Sequence, residues 1–156
     1  GRMFTGDESG RWLYRALWKA GWASQKESTG AQDGLKLRSV WITAAVKCAP
    51  PDNRPSPKER DRCSNFFDRE IRELKEAKVY LALGGFGFEA VTKFFGLKPR
   101  PKFGHGLEIQ LSEGRWLVGC YHVSQQNTFT GRLTEKMLDE VMRKVGVRAG
   151  LSPRRR

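Results

Sequence analysis

The sequence predicts an α/β protein, a three-layer α/β/α sandwich with a mainly parallel central sheet. Two apolar runs, Val40–Val46 and Val79–Leu83, have the composition of strands that are buried on both faces. Segments with helical spacing of apolar residues alternate with them, which is typical of this architecture. A length of 156 residues suits one domain, which we place at residues 1–148, followed by a basic tail at residues 149–156.

The first predicted element is a helix that begins near Ser9, a candidate N-cap, and ends near Gly21. Its apolar residues recur at helical spacing: Trp12, Leu13, Ala16, Leu17 and Ala20. Because no predicted strand precedes this helix, we expect the chain to lack the N-terminal strand of its sheet.

The strand at Val40–Val46 runs into a proline-rich loop, which ends where the next helix opens. Ser56–Glu59 combines a capping box with proline at the first helical position, and the helical pattern continues to about Lys75. The strand at Val79–Leu83 is followed by glycines and by a predicted helix over Phe88–Phe95.

The last third of the chain predicts a hairpin and a helix. Leu107–Leu111 and Trp116–Tyr121 pair as strands across the turn at Ser112–Arg115. Thr134 then caps a helix with Met137, Leu138, Val141 and Val145 on one face.

The charge of the chain indicates a polyanionic partner. There are 29 Lys and Arg against 17 Asp and Glu, a formal net charge of +12 with a pI near 10.1. Such a surplus is typical of nucleic-acid-binding proteins. No apolar run is long enough to span a bilayer, so we expect a soluble, intracellular protein that faces DNA or RNA, with no membrane partner. We expect in addition a monomer that is associated with the nucleoid in the cytoplasm of a prokaryote.

The three cysteines, Cys48, Cys63 and Cys120, are an odd number and do not predict a disulfide framework. Cys120 lies in an apolar strand and is most simply a core residue. Cys48 and Cys63 flank the proline-rich loop, where two thiolates are either structural residues or half of a four-cysteine metal site.

A polar stretch from His122 to Thr134 follows the strand at Trp116–Tyr121. In α/β proteins ligands bind at the carboxyl ends of strands, so His122 stands where chemistry is expected. The hydrogen-bonding residues after it suit contact with a nucleic-acid base or groove, although a solvated loop that happens to contain a histidine has the same composition.

Two glycine-rich segments have weaker signals. Gly84–Gly87 lies between a strand and a helix, where backbone N–H groups can approach a phosphate, but its spacing fits neither a Walker A loop nor a dinucleotide fingerprint. Lys98–Gly106 is a basic surface loop, and His105 within it is interpreted as a loop residue.

Four segments in order resemble the family 5 (type b) uracil-DNA glycosylases. They are Phe4–Asp7 (FTGD), Ile42–Pro51 (ITAAVKCAPP), Ala82–Gly84 (ALG) and His122–Thr134 (HVSQQNTFTGRLT). The resemblance implies the α/β/α fold of those glycosylases and hydrolysis of the N-glycosidic bond of a deaminated base, uracil or a purine such as hypoxanthine, flipped out of double-stranded DNA to leave an abasic site.

The same resemblance assigns roles to residues of this sequence. Phe4 is implied as the stacking platform for the base, His122 as the catalytic group that stabilises charge on the leaving base, and Asn127 as a base-binding residue. The implied DNA contacts are Pro50, Pro51, Gly84, Gly85, Ser124, Gln125, Gln126 and Arg132. Cys48 and Cys63 match two of the four cysteines that hold a structural [4Fe–4S] cluster in that family.

The sequence departs from the family pattern at three places. The leading strand motif and the first pair of cluster cysteines are expected before Gly1. Ala44 stands where an asparagine often reads uracil, so we expect weaker pyrimidine selectivity. Val123 replaces the usual proline after the histidine, which predicts a less rigid loop.

Asp7 is the one acidic residue in the matched pocket motifs, and it either positions water or caps the first helix. Two further hypotheses remain beside the glycosylase: a non-catalytic DNA-binding module, truncated or degenerate, and a phosphate-handling enzyme that uses Gly84–Gly87. A phosphate-handling enzyme would need a lysine or a metal-binding carboxylate near Gly84–Gly87, and the sequence shows neither there.

Overall fold

The computed structural model describes residues 2–47 and 55–151, and the chain packs as two compact units. The helical unit comprises Gly1–Ile42 and Cys120–Arg156, and the sheet unit comprises Thr43–Gly119. The single domain over residues 1–148 stays a prediction. Within the described ranges, no helix combines the length and the apolar character needed to cross a bilayer.

Two helices form the core of the helical unit, α1 (Glu8–Lys19) and α5 (Glu135–Ala149), with the short α4 (Gln125–Phe129) before α5. Apolar side chains line the contact of α1 with α5: Leu13, Tyr14, Leu17, Leu138, Val141 and Val145 are all buried. Asp139 on α5 accepts hydrogen bonds from Arg15 and Lys19 of α1. Thr134 caps α5, as predicted.

The start of α1 differs from the prediction. Asp7, not Ser9, is the N-cap, and its side chain accepts a hydrogen bond from Gly10 N at 2.7 Å. Ser9 lies inside the first turn. Aspartate and serine are both good N-caps. Asp7 takes this role because its backbone is extended, as an N-cap requires, whereas Ser9 is already helical.

The sheet unit contains α2 (Pro57–Glu73), α3 (Gly85–Phe94) and a three-stranded sheet. Its strands are β1 (Val79–Leu83), β2 (Glu108–Gln110) and β3 (Trp116–Cys120), in the order β1-β3-β2. β2 pairs antiparallel with β3, as the predicted hairpin requires, and the sheet is mixed because it also contains parallel pairing. The α/β class is therefore confirmed.

Three sequence features account for the structure of the sheet unit: a capping box, apolar helix faces and one glycine. Ser56 and Glu59 form the predicted capping box at the start of α2. The apolar faces of α2 and α3 meet the strands in one core that includes Phe67, Ile71, Tyr80, Phe88, Val91 and Leu117. At Gly119 a Cβ would lie 2.3 Å from the Gly104 carbonyl oxygen, so β3 needs glycine where the loop before β2 approaches it.

The predicted strand at Val40–Val46 is wrong. This segment has no strand structure, and Trp41 in it is 63% exposed. A strand needs a neighbour that takes up its backbone hydrogen bonds. Among the described residues no strand pairs with this segment, so apolar composition alone does not make it part of the sheet.

Candidate active site

His122 lies two residues beyond the end of β3, at the start of a turn that is fixed from within. We call residues 122–130 the His122 turn. The Asn127 side chain donates from Nδ2 to the His122 carbonyl oxygen at 2.9 Å. Val123 between them is fully buried, so an apolar side chain anchors the turn at this position.

The polar stretch after Val123 is helical, where the sequence suggested a loop. Ser124 is the N-cap of α4, and its side chain accepts from Asn127 N. This Ser-x-x-Asn spacing is the signal that the pattern of apolar residues missed, because α4 has no buried face of its own. Gln125 and Gln126 consequently lie exposed on the first turn.

Phe4 lies beside His122 within the helical unit. The two ring centroids are 6.1 Å apart, and the rings are tilted by 45°. Phe4 has a φ of 56°, a left-handed conformation that costs a residue of this type about 1–3 kcal/mol and is often found at functional sites. A strained aromatic residue next to a half-buried histidine is an arrangement that can receive a flat ligand.

The backbone around Phe4 is held by α1. Tyr14, which is fully buried, donates its hydroxyl to the Met3 carbonyl oxygen at 2.8 Å. Gly10 approaches so closely that a Cβ there would lie 2.0 Å from the Phe4 carbonyl oxygen. The conformation of Phe4 therefore depends on residues of the first helix.

Burial controls the charge on His122. Loss of hydration lowers the pKa of the imidazole below its ordinary value, and the Asp7 carboxylate opposes this effect by favouring the charged form. The pKa therefore favours a neutral ring at pH 7, which can donate one N–H without carrying charge. Asp7 combines this electrostatic influence with its role as the cap of α1.

At the edge of the turn, two features are open to solvent. The Arg132 guanidinium lies 4.8 Å from the centre of the Tyr121 ring, a cation–π contact that keeps a positive charge near the turn. Phe129 at the end of α4 is 75% exposed, unusual for so large an apolar side chain.

In the sheet unit, Gly84 is the N-cap of α3 and has a φ of 88°. Among the described residues no side chain caps this helix, so its first N–H groups, from Gly85 onward, have no side-chain acceptor there. The helix begins at Gly85, three residues before its predicted start, because Gly84 turns the chain directly out of β1. This is the backbone arrangement that suits a phosphate.

The remaining predicted site residues divide by whether the structure describes them. Cys48, Pro50 and Pro51 lie outside the described residues. Cys63 is buried on α2, and Cys120 is buried at the end of β3, where loss of hydration raises the pKa of its thiol to about 12.

An iron–sulfur cluster needs four thiolates. The raised pKa makes Cys120 a poor ligand, so at most Cys48 and Cys63 of this chain suit one. The described residues contain no grouping of three or more His, Cys, Asp or Glu side chains that could hold a metal ion. The residues of the chain do not complete a cluster site, and no step of the chemistry below runs through one.

Comparison with known proteins identifies the family. The family model of the Uracil DNA glycosylase superfamily matches residues 1–146. Type-5 uracil-DNA glycosylases from Thermus thermophilus and Pyrobaculum aerophilum are 47% and 41% identical, over 97% and 96% of this chain and 69% and 65% of theirs. One from Mycobacterium bovis is 47% identical over 97% of the chain, which spans only 58% of that relative's length. The chain therefore belongs to the uracil-DNA glycosylase superfamily and, within it, to the type-5 group.

Proposed function

We propose that the protein is a monofunctional DNA glycosylase that hydrolyses the N-glycosidic bond of deaminated bases flipped out of double-stranded DNA. The observation that carries the proposal is the Phe4 ring beside the half-buried His122 ring, at 6.1 Å, in a chain of this superfamily. An aromatic face and a neutral N–H donor are what a flipped, planar base with carbonyl groups requires.

In the proposed reaction the base stacks on Phe4 and His122 donates a hydrogen bond to a base carbonyl oxygen. As the bond from the sugar C1′ to the base nitrogen breaks, its electron pair passes to the base, and the N–H of His122 stabilises the negative charge that develops. Water then adds to C1′ and loses a proton, which the released base anion takes up, and an abasic site and a free neutral base remain. A neutral imidazole keeps one ring N–H available for this role.

Two neighbouring residues complete this proposal. Asp7 lies close enough to His122 to influence its pKa, and its carboxylate can orient the attacking water while one oxygen holds Gly10 N. The Asn127 amide donates to the His122 carbonyl, so its oxygen is the group offered to the base edge. Ala44 cannot read a base edge by hydrogen bonding, which favours tolerance of hypoxanthine as well as uracil.

DNA contacts are proposed on both units. The uncapped N–H groups at Gly84 and Gly85 suit a backbone phosphate. The exposed first turn of α4 suits the groove that the flipped base leaves, and Arg132 adds a positive charge there. Pro50 and Pro51 are proposed to press on the DNA backbone, and a net charge of +12 supports salt-dependent binding.

We further propose that the protein is a monomer and that it is located in the cytoplasm of a prokaryote. A cluster, to which Cys48 and Cys63 contribute two of the four ligands, is also proposed. Support for the location is that the type-5 relatives come from bacteria and an archaeon. The cluster is proposed from the resemblance of Cys48 and Cys63 to the family's cysteines.

The test is base release from a uracil-containing duplex by the full-length protein. His122→Ala should lower the single-turnover rate by about 100- to 1000-fold, the effect of removing one donor that faces developing charge. His105→Ala, at the other histidine of the chain, should keep the parental rate. Equal rates for His122→Ala and the parent would contradict the role of His122, and a parent that binds duplex DNA without releasing base would favour the non-catalytic binding module.

A further inference from the structure

The segment that carries Phe4 is held from one side by a turn whose residues no motif singled out. We call residues 2–7 the Phe4 loop. Phe4 in it has the left-handed φ of 56°, which persists only where surrounding contacts fix the backbone. Besides its contacts with α1, this loop is hydrogen-bonded to Ser28 and Asp33.

Ser28 contacts the Phe4 loop at three points. Its hydroxyl oxygen accepts from Arg2 Nη1 at 2.9 Å and shares a hydrogen bond with Thr5 Oγ1 at 2.8 Å. Its carbonyl oxygen accepts from Gly6 N at 2.8 Å. Ser28 is only 6% exposed, so water competes little for these bonds, and they bracket Phe4 on both sides.

Asp33 fixes the same loop through Arg2 and also shapes the turn that presents Ser28. Its carboxylate accepts from Arg2 Nη1 at 2.8 and 3.0 Å, and from the backbone N–H groups of Thr29 and Leu35. The Asp33 side chain is 6% exposed. The Arg2 guanidinium, followed by these backbone donors, holds the pKa of this carboxyl well below its usual range.

We propose that Ser28 and Asp33 are positioning residues that hold the Phe4 ring at the angle and distance from His122 that base stacking requires. The inference rests on the proposed glycosylase function and adds to it two residues that act through Phe4. Their hydrogen bonds run to the Phe4 loop, to their own turn and, from Ser28, to Tyr14 of α1, so neither needs to touch the base. A displaced platform lowers the rate even where every group that acts on the base is present.

A double-mutant cycle with the full-length protein tests this role. Ser28→Ala should lower kcat/KM for a uracil-containing duplex by about tenfold or more, in line with the sensitivity of catalysis to misplacement. In a Phe4→Ala background the same change should have less than about a twofold effect, because the group it positions is gone. Equal factors in both backgrounds, or no effect on the parent, would overturn the proposal.

The matched control is Asp139→Asn in the same unit. Asp139 likewise accepts from two cations, Arg15 and Lys19, but makes no bond to the Phe4 loop among those of the described residues. This variant should lose some stability at unchanged kcat/KM. If it lowers kcat/KM as much as Ser28→Ala does, the effect is general destabilisation and the proposal is wrong.

A measurement independent of catalysis separates the inference from the proposed function. Exchange of the Gly6 amide hydrogen, which is bonded to the Ser28 carbonyl oxygen, should speed up in Ser28→Ala and not in Asp139→Asn. An inactive parent with faster exchange in Ser28→Ala overturns the glycosylase function and leaves the positioning role of Ser28 supported. Unchanged exchange overturns the positioning role. Asp33→Asn, which keeps the shape of the side chain and loses its charge, takes the place of Ser28→Ala if circular dichroism shows that Ser28→Ala does not fold.

Discussion

The Phe4 loop and the His122 turn contribute the two rings of the candidate site, and they are held in opposite ways. The His122 turn is stabilised by its own residues: Ser124 caps α4, and Asn127 reaches back five positions to the His122 carbonyl. The Phe4 loop is stabilised by residues more distant in sequence, among them Tyr14 and Ser28. One half of the site is local structure, and the other depends on tertiary packing.

This difference has a practical consequence for how each half fails. A substitution inside the His122 turn disturbs the turn itself, whereas the Phe4 loop can be displaced by changes in α1 or in the turn around Asp33. The two halves of the site should therefore respond to different sets of mutations.

The largest effect is expected for Gly10→Ala, which attacks the Phe4 loop from α1. The new Cβ would lie 2.0 Å from the Phe4 carbonyl oxygen, so the loop or the helix must move. We expect the free energy of unfolding to fall by about 1–3 kcal/mol, as for other overpacked sites, and base release to fall with it. Denaturant unfolding and a glycosylase assay measure the two effects.

The matched control for Gly10→Ala is Gly87→Ala in α3. No heavy atom of residues 2–47 and 55–151 lies within 4 Å of a Cβ at Gly87, and alanine in a helix should stabilise by about 0.5–1 kcal/mol relative to glycine. If both variants are equally stable, the close approach of Gly10 to the Phe4 loop does not constrain the protein.

The next effect concerns the His122 turn. Asn127→Ala removes the hydrogen bond to the His122 carbonyl and should lower the free energy of unfolding by about 1 kcal/mol. It should also slow base release more than a change elsewhere in α4 does, because Asn127 holds the backbone of His122. Thr128→Val, which removes a hydroxyl bond to the Gln125 carbonyl in the same helix, is the control. Similar rates for both variants would show that the link from Asn127 to His122 has no special importance.

A smaller effect separates the two roles of Asp7. Asparagine caps a helix about as well as aspartate, so Asp7→Asn should keep the parental stability, whereas Asp7→Ala should lose about 1 kcal/mol. Thermal unfolding of both variants decides this. A destabilised Asp7→Asn would show that the charge of Asp7, and not only its cap, stabilises the fold.

The smallest effect is the pH dependence from His122. Its pKa is lowered in the folded state, so the unfolded chain takes up a proton first as the pH falls. The contribution of His122 to the free energy of unfolding should therefore decrease as the pH drops from about 6.5, the value of an unperturbed histidine, to its lowered folded pKa, and stay constant below that pKa. Denaturant unfolding across this window, with His122→Asn as control, measures the slope.

Asp7 should modulate the same titration. Its carboxylate raises the pKa of His122 against the effect of burial, so Asp7→Asn should lower that pKa further. An NMR titration of the His122 ring measures the shift directly. A pKa that rises in Asp7→Asn would contradict the electrostatic coupling between the two residues.

Elements with a strong local signal were predicted correctly. The capping box of α2, the Thr134 cap of α5 and the hairpin of β2 with β3 are all present. In each of them the residues that determine the structure lie within a few positions of one another. The position of His122 after β3 follows from the same hairpin.

Predictions that depended on distant partners were less successful. Val40–Val46 has the composition of a strand but no strand neighbour in the described residues, so its composition wrongly predicted a strand. The proximity of Phe4 to His122 was reached only through family resemblance, because 118 positions of sequence separate them and no periodicity connects them. Ser28 and Asp33 were missed altogether, since nothing in a polar turn indicates which loop it will contact.

The left-handed backbone at Phe4 has a consequence for how this position evolves. Its φ of 56° suits glycine or asparagine, so backbone preference alone favours replacing phenylalanine. A population selected only for folding would drift toward those residues at position 4, whereas selection for the work of the ring would keep phenylalanine. At position 4, selection for stability and selection for activity therefore favour different residues. The substitutions tolerated there show which of the two is under selection.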